Sequence, residues 1–179
     1  MGGTLTVDVA PVLGETGATM EVDADVPLES IAVGDTSATF SSPPRLRVTI
    51  ANAGEVIVLT GSVEATARLE CSRCLESFNL GITGSIDAVI SSAHPSDEHD
   101  EDQEWYPLEG KTVDLLAAAE SALRVEVPFA PVHDEECSGI CPICGCDLNR
   151  DRCTCEPEGG ERPDSPFAAL KDLLPPEDD

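Results

Sequence analysis

Apolar and polar positions alternate through much of the first half of the chain, with the two-residue period of β-strands. In SVEATARLEC, Val63, Ala65, Ala67, Leu69 and Cys71 share one face, while Glu64, Thr66, Arg68 and Glu70 occupy the other. After the short segment SRC a second alternating run follows, with Phe78, Leu80, Ile82, Ile86, Ala88 and Ile90 in period two. The two runs predict a long hairpin whose tip is CSRC. Upstream, LTVDV (5–9) alternates, RLRVTI (45–50) places Leu46, Val48 and Ile50 on one face, and EVIVLTG (55–61) is a β-branched run ending at Gly61. Pro43-Pro44, preceded by Ser41 and Ser42, breaks one strand from the next, as does Asn52-Ala-Gly54.

The period changes further on. Segment 94–110 carries seven acidic residues and no lysine or arginine, the composition of a solvated loop, with Trp105-Tyr106 available to tuck back onto the sheet. DLLAAAESALR (114–124) is rich in Ala and Leu and predicts a helix, capped by Thr112 or Asp114 and ended by Val127-Pro128. EPEGGERPDSP (156–166) has linker composition, and PFAALKDLLP offers a short amphipathic helix with Phe167, Leu170, Leu173 and Leu174 near one side. These patterns predict an α+β chain, mostly β: an antiparallel barrel-like sheet with one or two helices. Residues 1–158 form one β-rich domain, with the acidic loop at 94–110 and a cysteine-rich segment of C-terminal knuckles at 133–155. Residues 159–179 are a linker and short helix.

Composition constrains the core and the partners. Apolar residues make up 41% of the 179 and aromatics only 3%, so Val, Leu, Ile and Ala fill the interior. The N-terminal MGGTLTVDVAPVLGE has neither a basic n-region nor a continuous apolar h-region, and no apolar run approaches the roughly 18 residues of a membrane helix. A cytoplasmic location without membrane contact is expected. The formal net charge of −25, from 35 acidic against 10 basic residues, opposes RNA and attracts basic proteins.

Against that background stands CSGICPICGCDLNRDRCTC, residues 137–155, with six cysteines. In a reducing compartment clustered thiols bind metal more often than they form disulfides. Zinc takes four N or S ligands in a tetrahedron, and two thiolates separated by two residues grip one ion from a single turn. Cys71-Ser-Arg-Cys74 and Cys141-Pro-Ile-Cys144-Gly145 both have this spacing. The second adds a proline to open the turn and a glycine free to adopt positive φ. A redox pair would join a strand to a helix, whereas CSRC joins two strands. With His133, the candidates are nine groups where two sites need eight. Pairing by local knuckle joins Cys141 and Cys144 with Cys153 and Cys155, and leaves Cys71, Cys74, His133 and Cys137 for the other ion. Cys146 is then unliganded. His94 and His99 lie in the acidic loop as solvated groups.

LECSRCLESFNLGI, VDLLAAAESALRVEVPFAPV, HDEECSGICPICGCDLNRDRCTC and the closing DSPFAALKDLL resemble, in order and character, the bacterial YceD family. The resemblance covers roughly residues 55–174. It implies a factor for accumulation of large-subunit ribosomal RNA rather than an enzyme. It also implies a pattern CxGLCPxCGxxLNxxxCxC that matches Cys137, Cys141, Cys144, Cys153 and Cys155, with Ile140 in place of the usual Leu and Cys146 outside the pattern. Relatives with cysteine at the place of His133 support its ligation, and relatives lacking CPxCG make the Cys141 site an accessory module.

No GxSxG elbow, phosphate-binding glycine loop or HExxH occurs, and four protein ligands leave a metal no open position. The expectation is therefore non-catalytic: two structural zinc ions and a basic ribosomal protein or large-subunit assembly intermediate as partner. Direct rRNA contact falls to Arg73, Arg150 and Arg152, few and set among acids. The competing classes are a zinc-ribbon adaptor in transcription or protein quality control, and a thiol redox sensor.

Overall fold

The computed structural model describes residues 3–91 and 104–155. Their contacts fall into two compact units, Met1–Cys137 and Ser138–Asp179. In chain order the first unit holds β1 (Thr6–Asp8), α1 (Ala10–Leu13), β2 (Thr19–Asp25), β3 (Ser30–Val33), β4 (Thr36–Phe40), β5 (Arg45–Asn52), β6 (Ile57–Glu70), β7 (Ser77–Ser91), β8 (Glu104–Pro107), β9 (Thr112–Asp114) and α2 (Leu116–Glu126). The expected boundary after residue 158 lies outside the described residues.

The predicted hairpin is the spine of this unit. β6 and β7 pair antiparallel from Ile57↔Ile90 to Glu70↔Ser77, and the alternating sequence puts Val63, Ala67, Leu69, Ile82, Ile86 and Ile90 in the core. The two runs read separately at 55–61 and 63–71 join into one strand. The other edge of β6 is shared: β5 pairs with it from Asn52↔Ile57 to Arg45↔Glu64, and β4 takes over at Phe40↔Ala67 and Thr39↔Arg68. β2 extends the sheet beyond β5, and β3 beyond β4. β1 and β9 form a separate two-stranded sheet.

Two expectations are corrected here. The sheet is open rather than barrel-like: among the described residues no ladder joins β8 to β2 or β3. The physical reason is that α2 covers the apolar face. Ala118, Ala119 and Leu123 of the helix bury into the same core as Leu59, Ile86 and Ala88. Gly84 permits the close approach, since a Cβ there would stand 2.5 Å from the carbonyl oxygen of Ala122. With its apolar side covered by a helix, the sheet has no need to curl onto itself. Nor is it wholly antiparallel. Glu104–Pro107, expected within the acidic loop, is a strand paired parallel to β7 from Ala88↔Glu104 to Ser91↔Pro107. Trp105 and Tyr106 are good strand formers, and Glu104 anchors them by accepting hydrogen bonds from Tyr106 (2.9 Å) and Ser121 (2.5 Å).

The predicted helix begins two residues later than expected, because Thr112–Asp114 pairs with β1. Asp114 joins the two elements: one carboxylate oxygen accepts from the backbone N–H of Leu5 and of Leu116, each at 3.0 Å. The short elements α1, β2, β3 and β4 were not anticipated. His94, His99, the linker and the helix expected around 167–174 lie outside the described residues.

Candidate metal centres

The first centre is built at the tip of the β6–β7 hairpin. Cys71 follows β6 directly, its N–H bonded to the carbonyl of Glu76 (2.9 Å), while Leu75 N–H closes the turn on the carbonyl of Cys71 (2.8 Å). The chain leaving α2 crosses this tip and is held there. Both the N–H (2.7 Å) and the hydroxyl (2.9 Å) of Ser72 donate to the carbonyl of Pro131. Arg73 Nη1 donates to the carbonyls of Glu135 (2.9 Å) and Cys137 (3.0 Å). These bonds carry His133 and Cys137 to the hairpin cysteines. Cys71 Sγ lies 3.8 Å from Cys137 Sγ, Cys74 Sγ lies 3.4 Å from His133 Nδ1, and all four donor atoms lie within 4.8 Å of one another. A tetrahedron with Zn–S near 2.3 Å and Zn–N near 2.0 Å has S···S edges of about 3.8 Å and S···N edges of about 3.5 Å. The Cys71–Cys137 and Cys74–His133 separations match these edges, and the four donors could hold a metal ion. Phe78 closes one side, edge-on to the His133 ring at 6.4 Å.

Electrostatics at this tip favours a cation. Burial pushes the Cys71 thiol up, but N–H groups of the His133, Cys74 and Arg73 backbone, with the His133 side chain, outweigh it and bring the thiol down to about 5. His133 is raised in turn, first by its bond to Cys71. At Cys74 the Glu76 backbone N–H pulls the pKa down, yet burial and the neighbouring Cys71 and Cys137 sulfurs hold it up at about 11. One sulfur ionises only at its neighbour's expense, a conflict that a divalent cation removes.

The second centre lies within residues 138–155. Its knuckle repeats the geometry of the first: Gly145 N–H bonds the carbonyl of Cys141 at 2.8 Å, with Gly145 at φ +72° where Leu75 has φ +64°. Cys141 N–H then bonds the carbonyl of Cys146 (2.8 Å), and Ile143 N–H points at Cys141 Sγ (3.4 Å). Across the turn, Asn149 accepts the N–H of Ser138 (2.8 Å) and Leu148 N–H reaches the carbonyl of Gly139 (2.9 Å). Cys153 Sγ is thereby placed 3.3 Å from Cys141 Sγ and 3.7 Å from Cys144 Sγ.

All four residues expected in the first set come together. In the second, Cys141, Cys144 and Cys153 do so, but the fourth sulfur within 4.8 Å of the others is that of Cys146, where Cys155 was expected. The left-handed turn at Gly145 folds the next residue back toward the knuckle. Cys155 is nearby: its N–H donates to Cys153 Sγ at 3.3 Å, and its thiol, raised to about 12 by the Cys153 and Cys144 side chains, borders the same group. Backbone and side chain of Cys146 hold Cys144 down at about 6, while Cys146 itself is pushed up to about 12, first by Cys144. In the sequence, Cys146 adjoins the knuckle through the adjacency Cys144-Gly145-Cys146. Of the arginines considered for RNA, Arg73 is bonded to main-chain carbonyls, and Arg150 Nε lies 3.4 Å from Asp147.

Among the described residues no helix is long and apolar enough to cross a membrane. No solved structure matches the chain. It is 31% identical over 187 residues to an uncharacterized protein of Mycobacterium tuberculosis, covering 98% of this chain and 84% of the relative. Identity to an uncharacterized protein of Mycobacterium leprae is 26% over 174 residues, 95% and 77% of the two chains. A plant relative from Arabidopsis thaliana, the chloroplastic large ribosomal RNA subunit accumulation protein YCED homolog 1, is 22% identical over 161 residues, 74% of this chain and 50% of its own. The profile described as large ribosomal RNA subunit accumulation protein YceD matches residues 59–174, a span that includes the cysteines of both centres, and the chain therefore belongs to the YceD family.

Proposed function

We propose that this chain is a non-enzymatic, zinc-braced factor for accumulation of large-subunit ribosomal RNA, acting in the cytoplasm through a basic protein partner. The observation that carries this reading is the gathering of four N/S donors into each of two compact groups in a YceD-family chain, the first drawn from positions as far apart as Cys71 and Cys137. Cys71, Cys74, His133 and Cys137 would hold one ion. Cys141, Cys144 and Cys153 would hold the other, with Cys146 or Cys155 as fourth ligand. The metal would supply cross-links that fix the hairpin tip and fold residues 138–155, and four protein ligands leave it no position for substrate.

Charge supports a protein partner over direct RNA contact. The net charge is −25, and several cations are already engaged. Arg45 pairs with Asp23 and Asp25, Arg47 with Glu64, and Arg124 with Glu120. An acidic surface of this kind shields a basic ribosomal protein until rRNA displaces it.

Depletion followed by sucrose-gradient fractionation tests the reading. Large-subunit precursors should accumulate and mature large-subunit rRNA should fall. Unchanged subunit profiles would point instead to a zinc-ribbon adaptor in transcription or protein quality control. A salt-insensitive, submicromolar complex with rRNA alone would overturn the protein-partner part.

A further inference from the structure

The two knuckles differ at one position in a way that metal binding does not explain. Each needs a left-handed residue after its second cysteine, so that this residue's N–H can bond the carbonyl of the first. Glycine takes that conformation freely, as Gly145 does, whereas a side chain pays on the order of 1 kcal/mol or more. The first knuckle nonetheless uses Leu75, at φ +64°, with 63% of its surface exposed. It is the only non-glycine residue at positive φ among the described residues. A leucine in this place strains the turn and does not bury its own side chain, so its use must lie outside the turn.

Leu75 lines a groove of about 340 Å³ together with Phe129, Thr36, Pro131, Asp35 and Glu70. Phe129 is 77% exposed, with its ring beside Gly34 and its main-chain carbonyl accepting from the hydroxyl of Thr36 at 3.0 Å. The chain has only four phenylalanines, which makes one spent on the surface notable. Asp35 and Glu70 form no ion pair among the described residues, so the groove couples two exposed apolar side chains to two uncompensated carboxylates.

We propose that this groove beside the first metal centre docks a protein segment in which bulky apolar side chains are flanked by lysine or arginine. The proposal rests on the protein-partner reading above and assigns that contact to a surface. Leu75 and Phe129 receive the apolar side chains, and Asp35 and Glu70 the flanking cations. Removing the ions would release the hairpin tip and disperse the groove, which couples the metal to partner binding. RNA fits poorly, since its phosphates would face the two carboxylates.

The test is a fluorescence-anisotropy titration of the zinc-loaded full chain with a labelled lysine peptide carrying one leucine and one phenylalanine, against the same peptide with both apolar residues replaced by glycine. Leu75→Gly relieves the turn and retains the knuckle, so metal content and thermal stability should hold or improve. Leu75→Gly/Phe129→Ser should weaken the apolar peptide by about tenfold or more, as loss of a buried apolar side chain does, and leave the glycine peptide unchanged. Asp35→Asn/Glu70→Gln should weaken both peptides and flatten their salt dependence. Equal affinity of wild type and Leu75→Gly/Phe129→Ser for the apolar peptide would overturn the proposal, as would displacement of that peptide from the groove by an rRNA fragment that binds the double variant less well than wild type. Subunit profiles of depleted cells complemented with wild type report separately on the ribosomal reading, whatever the peptides do.

Discussion

Stripping metal from the protein should melt residues 138–155 while leaving the β6–β7 sheet folded. In this segment the only buried residues are Gly139 and Cys141, so no apolar core opposes unfolding. Ordering about eighteen residues costs on the order of 18 kcal/mol, taking the low end of about 1 kcal/mol each. A structural zinc overcomes that cost and leaves a net gain of about 10–16 kcal/mol, measured from the unfolded, metal-free chain. The bonds Cys141 to Cys146, Gly145 to Cys141, Leu148 to Gly139 and Ser138 to Asn149 supply only about 1 kcal/mol apiece. Without the ion the sum is unfavourable by roughly 10 kcal/mol or more, so the segment should unfold completely. The β6–β7 ladder rests instead on a shared core that includes Leu59, Val63, Ile86 and Ile90. Hydrogen exchange read by NMR should show the amides of Cys141, Gly145 and Leu148 losing protection in a strong chelator, while those of Val63 and Ile86 keep theirs. Persistent protection at Gly145 and Leu148 in metal-free protein would refute the reasoning, because nothing else in the segment is strong enough to hold those turns.

Three further outcomes are expected. With five thiols around four positions in the second centre, Cys146→Ser and Cys155→Ser should each retain two zinc equivalents by native mass spectrometry, and the double variant should lose one; loss in either single variant would name that residue as the sole fourth ligand. Zinc affinity should rise with pH, because Cys74 (about 11) and Cys146 (about 12) hold protons that the metal must displace, and His133 is raised as well. The rise should approach ~10-fold per pH unit for each proton displaced between about pH 6 and 8, measured by chelator competition; a flat profile would be inconsistent with protonated ligands. Gly84→Ala should destabilise the first unit by about 1–3 kcal/mol, read as a lower urea midpoint, since the new methyl would stand 2.5 Å from the Ala122 carbonyl oxygen and force α2 off the sheet. An unchanged midpoint would mean that the helix has room to shift.

Local periodicity made the long hairpin, strand β5 and helix α2 legible, because a two-residue or 3.6-residue repeat of apolar side chains is written along the chain itself. Cysteine spacing likewise identified both knuckles, since two ligands in one tight turn need only neighbouring residues. Cys71, Cys74, His133 and Cys137 could be grouped from residue chemistry and count, although what draws His133 and Cys137 to the tip is the set of bonds made by Ser72 and Arg73 to the chain after α2. That Cys146 Sγ joins the group of Cys141, Cys144 and Cys153 depends on the backbone path through Gly145, which spacing does not encode. The same holds for the sheet. Alternation showed that β6 and β7 each have an apolar face, but not that a helix would cover it, and so could not tell an open sheet from a closed one. The parallel strand at Glu104–Pro107 and the exposure of Leu75 and Phe129 were equally out of reach, because pairing partners and solvent access are properties of segments far apart in the chain brought side by side.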